Sequence, residues 1–243
     1  MRLVCAVLFA VAVTAQADLI SEYSPDHPGV EPTFQYLELS GTPGAAFSLV
    51  LVNIDGDAGS PGGLVKDIGT LTGTYDSSGI ALISGLLDYE NPSHTLVLCT
   101  SIDASVSVGD DLDATNDGTI DDLSLFSGVM DAICTLDLAS DLAYADDFSG
   151  VNMAFVDFGA TSEPTLIFRE SSTGALYQTD GVTLFDATAT SIPTSSPPWS
   201  ASPLGPTSGA VNPSLVAVPE PASMGLVGVV GLVAAARRRR AAH

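Results

Sequence analysis

The residues best suited to chemistry lie in an acidic loop near the middle of the chain, where residues 113–124 read Asp-Ala-Thr-Asn-Asp-Gly-Thr-Ile-Asp-Asp-Leu-Ser. Oxygen-bearing side chains at alternate positions, a glycine at the sixth and an apolar residue at the eighth are typical of a twelve-residue Ca²⁺ loop. The predicted ligands are Asp113, Thr115, Asp117 and Asp121. Because the last position is Ser124 instead of a bidentate glutamate, the pattern predicts weak Ca²⁺ binding, and a solvated turn is the alternative.

Cys99 and Cys134 are the only cysteines after the first 17 residues. In an exported protein, an even pair favours a disulfide, which would contribute about 3–4 kcal/mol by closing the intervening loop. Two separate buried thiols are the alternative. A catalytic thiolate is not expected, because no basic residue lies nearby in the sequence to lower the pKa of either thiol.

Residues for hydrolytic chemistry are sparse. The three histidines are His27, His94 and His243, and no pair of them has metal-ligand spacing. No Gly-x-Ser-x-Gly motif frames a serine nucleophile. Acidic residues are abundant, so a carboxylate pair for glycoside hydrolysis stays open, although aromatic residues for sugar stacking make up only 7% of the chain. The sequence predicts a protein that is not an enzyme and needs no cofactor unless Ca²⁺ binds, with a secreted hydrolase as an alternative.

The charge distribution excludes one class of partner. The chain has 29 Asp and Glu against 7 Lys and Arg, and a net charge of −22. Five of the seven bases lie at the ends, and only Lys66 and Arg169 lie between Asp18 and Ala236. Binding to nucleic acid or to an anionic membrane face needs basic patches, so neither kind of binding is expected of the chain between Asp18 and Ala236. With 46% hydrophobic residues, a charge-driven disordered chain is excluded as well.

The N-terminus has the three parts of a signal peptide. Arg2 is followed by an apolar run over residues 3–13 and by a small-residue site ending at Ala17. The run is too short to span a bilayer, which needs about 20 residues. We therefore expect signal peptidase to remove residues 1–17 and to leave Asp18 as the mature N-terminus. A buried core element is the alternative.

The C-terminal residues 218–243 combine a short motif, an apolar run and a basic cluster. The motif is Pro219, Glu220 and Pro221, the apolar run covers residues 222–236, and the cluster is Arg237, Arg238, Arg239 and Arg240. As a helix the run covers about 22 Å, less than a hydrocarbon core of about 30 Å, which predicts a short or transient transmembrane helix. By the positive-inside rule the arginines stay cytoplasmic, so the acidic body lies outside the inner membrane.

These three features in this order resemble the PEP-CTERM sorting signal of Gram-negative bacteria. The resemblance implies processing near Pro219, Glu220 and Pro221 by an exosortase-type transpeptidase. It also implies export through an inner-membrane intermediate to the cell surface or extracellular matrix, since such proteins are often linked to exopolysaccharide and biofilm. An ordinary C-terminal anchor is the alternative, with the same topology and no processing.

The rest of the mature chain divides into a body and a linker. Residues 188–217 are rich in Ser, Thr and Pro, which predicts an extended polyproline-type linker. Residues 18–187 contain short apolar or alternating runs between turn residues, which predict an all-β sandwich. The expected strands are residues 19–23, 35–39, 47–54, 69–75, 80–84, 95–99, 129–136, 154–158, 165–169 and 175–178. Gly174 is expected to form the turn of the last hairpin.

The body also resembles bacterial lamin-tail domains, which have an immunoglobulin-like fold. The similarity lies in Leu19-Ile-Ser-Glu-Tyr23 and Tyr36-Leu-Glu-Leu-Ser-Gly41, whose strands pair in that family. It implies no catalytic residues. We therefore expect an exported, non-catalytic surface or matrix protein, with a Ca²⁺-dependent extracellular interaction module as the first alternative and a secreted hydrolase as the second.

Overall fold

The computed structural model describes residues 17–25, 35–58, 61–84, 93–157, 164–193 and 207–215, and these ranges are almost entirely β-strand and turn. The strands are β1 (Leu19–Ser24), β2 (Tyr36–Ser40), β3 (Ala46–Asp55), β4 (Val65–Thr74), β5 (Ile80–Ser84), β6 (His94–Cys99), β7 (Ser101–Ile102), β8 (Phe126–Ser127), β9 (Asp131–Thr135), β10 (Val151–Asn152), β11 (Leu166–Arg169), β12 (Leu176–Thr179), β13 (Leu184–Asp186) and β14 (Ser191–Ile192). Two short 3₁₀ helices cover Leu123–Leu125 and Asp146–Phe148. The predicted all-β class is confirmed.

Two large sheets form most of the body, and β7 and β8 pair in a separate two-stranded sheet. The first has seven strands in the order β14-β13-β12-β11-β1-β2-β5, and the second has five in the order β10-β9-β6-β3-β4. Neighbouring strands are antiparallel except β9 and β10, which are parallel. The pairing of β1 with β2 that the lamin-tail resemblance implied is present, with Ile20 opposite Leu39. The architecture agrees with a β-sandwich, and its immunoglobulin-like type stays a prediction.

The main core lies between the two sheets because side chains alternate across each strand. Leu37 and Leu39 of β2 point inward, and they share one buried cluster with Leu51, Leu96 and Leu98 of the second sheet. Each large apolar side chain that is fully buried contributes about 1.5–3 kcal/mol. This shared cluster is what holds the sheets face to face.

A second cluster covers the outer face of the second sheet. Val52 and Val97 of that sheet pack against Leu112, Ile120 and Tyr144, which come from the long loops after β7 and β9. The apolar Ile120 of the predicted Ca²⁺ loop is therefore a core residue at 4% exposure. The loop that carries the acidic residues is fixed in place by this packing.

The structure differs from the expected strands in the C-terminal half. Residues 154–157 do not form the predicted strand, and the nearby β10 pairs with β9 instead. Strands β13 and β14 extend the first sheet to Ile192, beyond the boundary predicted at residue 187. The cause is a tight turn in which the Asp186 carboxylate accepts hydrogen bonds from the backbone N–H groups of Thr188 and Thr190. The predicted Gly174 turn is confirmed, with φ of 75°.

The described ranges contain no helix that is long and apolar enough to cross a membrane. The predicted apolar helix over residues 222–236 lies outside those ranges, as do residues 1–16 of the predicted signal peptide.

Candidate functional site

Asp113, the first predicted Ca²⁺ ligand, is fully buried and organises its own loop. Its carboxylate accepts hydrogen bonds from the N–H of Gly118 at 2.8 Å, the N–H of Asp117 at 3.1 Å and the hydroxyl of Tyr144 at 3.0 Å. Burial acts to raise the pKa of Asp113, but these hydrogen bonds outweigh it and hold the pKa below its usual value. The oxygens expected to face a cation are occupied by donors of the protein.

The other predicted ligands also bind their own backbone. Asp117 accepts from the N–H of Thr119, and Asp121 accepts from the N–H of Ala114. The Thr115 hydroxyl points to the Asp113 carboxylate at 3.4 Å. Within the described ranges, no group of three or more His, Cys, Asp or Glu side chains is arranged to hold a metal ion. The geometry therefore favours the alternative of a turn, here one that its own acids stabilise by hydrogen bonds.

The predicted disulfide between Cys99 and Cys134 is wrong, because both are buried free thiols. The cysteines lie on the neighbouring strands β6 and β9, but the residue opposite Cys134 is Thr95. Cys99 is four residues farther along β6, about 13 Å away at the rise of a strand, whereas a disulfide needs Cα atoms within about 7 Å. Burial raises the thiol pKa to about 11 for Cys99 and about 12 for Cys134, so both are protonated and unreactive.

Arg169, at the end of β11, joins the two sheets. Its guanidinium donates to both carboxylate oxygens of Asp131 on β9, at 2.8 and 2.9 Å. It also donates to the carbonyl oxygens of Gly174 and Ile20. Its donors are thus used within the protein, so we assign it a structural role.

An acid pair that the sequence did not single out lies at the end of the second sheet. The hydroxyl of buried Ser93 is within hydrogen-bonding distance of both Asp137 and Asp141. Burial and the neighbouring Asp141 raise the pKa of Asp137 to about 6, while hydrogen bonds outweigh burial and lower the pKa of Asp141. Asp141 also accepts from the N–H groups of Ala58 and Leu138, which ties three loops together.

Part of the predicted linker lies on the body. Residues 207–215, which we call the strap, lie on the outer face of the first sheet. Near one end, the N–H of Thr207 donates to Glu22 at 2.9 Å and that of Gly209 donates to Glu38 at 2.7 Å. In the middle, the side-chain amide of Asn212 donates to the backbone oxygen of Ser21 at 3.0 Å.

The other end of the strap is held by apolar packing. Leu215 contacts a small cluster on the outer face that contains Leu166, Phe168 and Leu184. Its N–H lies 3.4 Å from the carboxylate of Glu170. The expectation of a wholly extended linker over residues 188–217 is therefore incorrect for this segment. The strap docks because the outer face of the first sheet provides apolar surface for Leu215 and carboxylate acceptors for the backbone N–H groups of the strap.

Two of the glutamates beneath the strap, Glu38 and Glu170, have pKa values that shift in opposite directions. Burial raises the pKa of Glu38 to about 7, because the hydrogen bonds that it accepts do not compensate for lost hydration. Glu170 is the opposite case, since hydrogen bonds from Ser172 and Thr173 outweigh burial and lower its pKa to about 2. Strand alternation alone would place Glu22 and Glu38 in solvent, so no pattern in the sequence predicts this buried acid pair.

The predicted processing residues lie at or beyond the edge of the described ranges. Ala17 is exposed, and Asp18 directly precedes β1. Cleavage between them would therefore leave the mature N-terminus at the start of a strand. Pro219, Glu220, Pro221 and the four arginines at 237–240 lie outside the described residues.

Comparison with known proteins identifies the C-terminal segment. Residues 217–240 match the family model of the PEP-CTERM protein-sorting motif. No curated protein and no solved structure matches the chain. The motif indicates an exported protein that an exosortase sorts across the membrane to the cell surface. The chain therefore carries a PEP-CTERM sorting signal, as its proline, apolar and arginine segments predicted.

Proposed function

We propose that this is a non-catalytic surface or extracellular-matrix protein of a Gram-negative bacterium, delivered through its PEP-CTERM signal. The match at residues 217–240 is the observation that carries the proposal. Signal peptidase removes residues 1–17, and an exosortase-type transpeptidase then acts near Pro219, Glu220 and Pro221. Between removal of the signal peptide and exosortase processing, the protein is anchored in the inner membrane. Its partner outside the cell is exopolysaccharide.

Two properties of the body support a display or packing role. The acidic surface keeps the body hydrated and repels anionic membrane faces, which suits a protein that functions beyond the membrane. The buried acids discussed above are mostly engaged by protein donors, as expected for groups that stabilise loops. The Ca²⁺-dependent module and the hydrolase remain alternatives, the latter carried by the Asp137 and Asp141 pair because its two carboxyls differ in pKa.

Intact mass of the protein recovered separately from membrane, surface and medium tests the proposal. We expect a surface form that begins at Asp18 and ends near Pro219 to Pro221. Replacing Pro219, Glu220 and Pro221 together by alanine should trap a form that ends at His243 in the inner membrane. The matched control replaces Pro203 and Pro206, which lie outside the motif, and should be processed normally. A wild-type surface form that still ends at His243 would refute exosortase processing.

The alternatives are tested on the same material. Calorimetric titration with Ca²⁺ should give no heat of binding at the loop, and heat that disappears in Asp121→Asn would instead establish the interaction module. A screen of glycoside, ester and phosphodiester substrates should show no turnover. Turnover that Asp137→Asn abolishes would establish the hydrolase.

A further inference from the structure

The strap covers a pair of acids that stand side by side. Glu22 on β1 and Glu38 on β2 are directly opposite across the two strands, so both leave the outer face of the first sheet. Beneath the strap, Glu22 is 1% exposed and Glu38 is 0% exposed. The ion pairs found among the described residues, Lys66–Asp55 and Arg169–Asp131, involve neither glutamate. Two acids are thus buried together without a cationic partner in the described ranges.

Hydrogen bonds distinguish the two carboxyl groups. Glu22 accepts from the hydroxyl of Tyr36 and from both the N–H and the hydroxyl of Thr207. Glu38 accepts from the N–H of Gly209 at Oε2, and the Ser21 hydroxyl and the Ala210 N–H also bond to its carboxylate. Its buried Oε1 still has no hydrogen-bond partner among the described residues by distance and angle. Ionising a buried carboxyl near a second carboxylate is unfavourable, because lost hydration and like-charge repulsion both oppose it, so Glu38 retains its proton more readily than a hydrated carboxyl does. The buried Oε1 of Glu38, which accepts no hydrogen bond, is the geometric feature that agrees with the raised pKa of about 7 of this carboxyl.

We propose that the strap is a proton-linked latch, which docks on the first sheet while the buried carboxyl of Glu38 holds a proton and undocks when that carboxyl ionises. When the strap leaves, water hydrates both side chains. The burial that raises the pKa of Glu38 is then lost, so Glu38 no longer retains its proton at neutral pH. Docking of the strap is therefore thermodynamically linked to proton uptake, because the docked state binds the proton more tightly than the undocked state does.

The other titratable groups near the strap do not change charge in the relevant pH range. Burial first, and then the bond to Glu22, raises the pKa of Tyr36, so its hydroxyl stays neutral. Glu170, with a pKa of about 2, stays ionised. The strap itself and β5 contain no titratable side chain. Burial raises the pKa of Tyr177, which packs against the same apolar cluster as Leu215, so it also stays neutral, and Arg169 beside the strap is paired with Asp131. Titration of Glu38 therefore governs docking between about pH 5 and pH 9.

The sign and size follow from the pKa of Glu38, which is about 7 when docked against an ordinary value of 4.5. A carboxyl with a raised pKa favours docking at acidic pH, and this contribution is lost as the pH rises through 7. From about pH 5.5 to about pH 8.5 docking weakens by at most about 30-fold. This is an upper limit, because neighbouring side chains of the sheet cause part of the burial.

Hydrogen exchange of the full-length protein in mild detergent tests the latch, with rates corrected for the intrinsic pH effect. In the wild type, we expect protection of residues 207–215 to fall by about 5- to 30-fold over this pH range, while peptides of β3 and β6 stay protected. Glu38→Gln keeps an acceptor for Gly209 and mimics the protonated acid, so its strap should stay docked at every pH. The control Glu170→Gln should loosen the Leu215 end equally at all pH values and keep the wild-type pH dependence.

Two results would overturn the latch. One is a wild-type change of less than about twofold, and the other is a Glu38→Gln profile as steep as that of the wild type. A loss of protection in β3 and β6 together with the strap would mean global unfolding and would equally reject a local latch.

The latch has a consequence that rests on the proposed sorting function. Four residue steps separate Leu215 from Pro219, so a docked strap holds the processing motif within about 14 Å of the body. Docking should thus slow processing at acidic pH by keeping the body close to the motif. The exchange experiment needs no exosortase, so failure of the latch and failure of the sorting proposal are distinguishable.

Discussion

Replacing Arg169 by methionine tests how much one ion pair between the two sheets adds to the stability that their apolar core provides. In the wild type, the side chain of Asp131 is 8% exposed and that of Arg169 is 15% exposed. Methionine fills a similar volume but leaves the Asp131 carboxylate buried without its cation. Removing one partner of a buried ion pair costs about 3–5 kcal/mol, a large part of the about 5–15 kcal/mol that stabilises a typical domain.

The assay is urea unfolding of the full-length protein in mild detergent, followed by circular dichroism at neutral pH. A matched double variant, Arg169→Met with Asp131→Asn, leaves no unpaired charge and keeps an acceptor for the N–H of Ile20. It should regain at least about 1 kcal/mol relative to Arg169→Met alone.

The pH dependence gives an independent readout of the same pair. Burial raises the pKa of Asp131 and Arg169 opposes that rise, so without Arg169 the pKa rises further. A raised carboxyl pKa stabilises the fold at low pH and loses that contribution as the pH increases. The loss in Arg169→Met should therefore be smaller at about pH 4 than at about pH 7. A loss below about 1 kcal/mol at neutral pH, or one that is larger in acid, would refute the reasoning.

Three further predictions concern the loops and thiols. A reducing agent should leave the urea midpoint of unfolding unchanged, and alkylation of Cys99 and Cys134 should require unfolding. A midpoint that falls on reduction would support the disulfide prediction instead. Gly174→Ala should destabilise the fold by about 1 kcal/mol in urea unfolding, because its φ of 75° disfavours any side chain. Asp113→Ala should cost about 1–3 kcal/mol, since it leaves the Tyr144 hydroxyl and two N–H groups without an acceptor. The Asp113 contribution should disappear in acid, because its lowered pKa stabilises the fold only above that value; a wild-type and variant difference independent of pH would contradict this.

Local patterns predicted the sheets well because strand formation depends on alternation and turn residues. The runs at β1, β2, β3 and β6 each form a strand close to its predicted bounds. Residues 154–157 do not form the predicted strand, because an apolar run indicates a strand only where a neighbouring strand can pair with it. Pairing is a tertiary property, and the chain places β10 beside β9 instead.

The candidate sites were harder to predict because they depend on register and on distant segments. The cysteine count allowed a disulfide, but only the register of β6 against β9 shows that Cys99 and Cys134 lie too far apart. The loop around Asp113 has the composition of a cation site, yet its oxygens bind the loop's own N–H groups. The acid pair at Glu22 and Glu38 depends on the strap, which arrives more than 160 residues later in the chain.

The position of β1 has a consequence for the passage of the chain across the membrane. Strand β1, the first in the described residues, lies in the interior of the seven-stranded sheet, and one of its two neighbours is β11 (Leu166–Arg169). The sheet cannot close until that segment has emerged, since pairing over such a separation forms late and slowly. Late pairing of β1 with β11 delays closure of the sheet, which suits the export that the PEP-CTERM motif indicates. The wide sequence separation between β1 and β11 thus delays folding and favours transport of the chain across the membrane before the sheet closes.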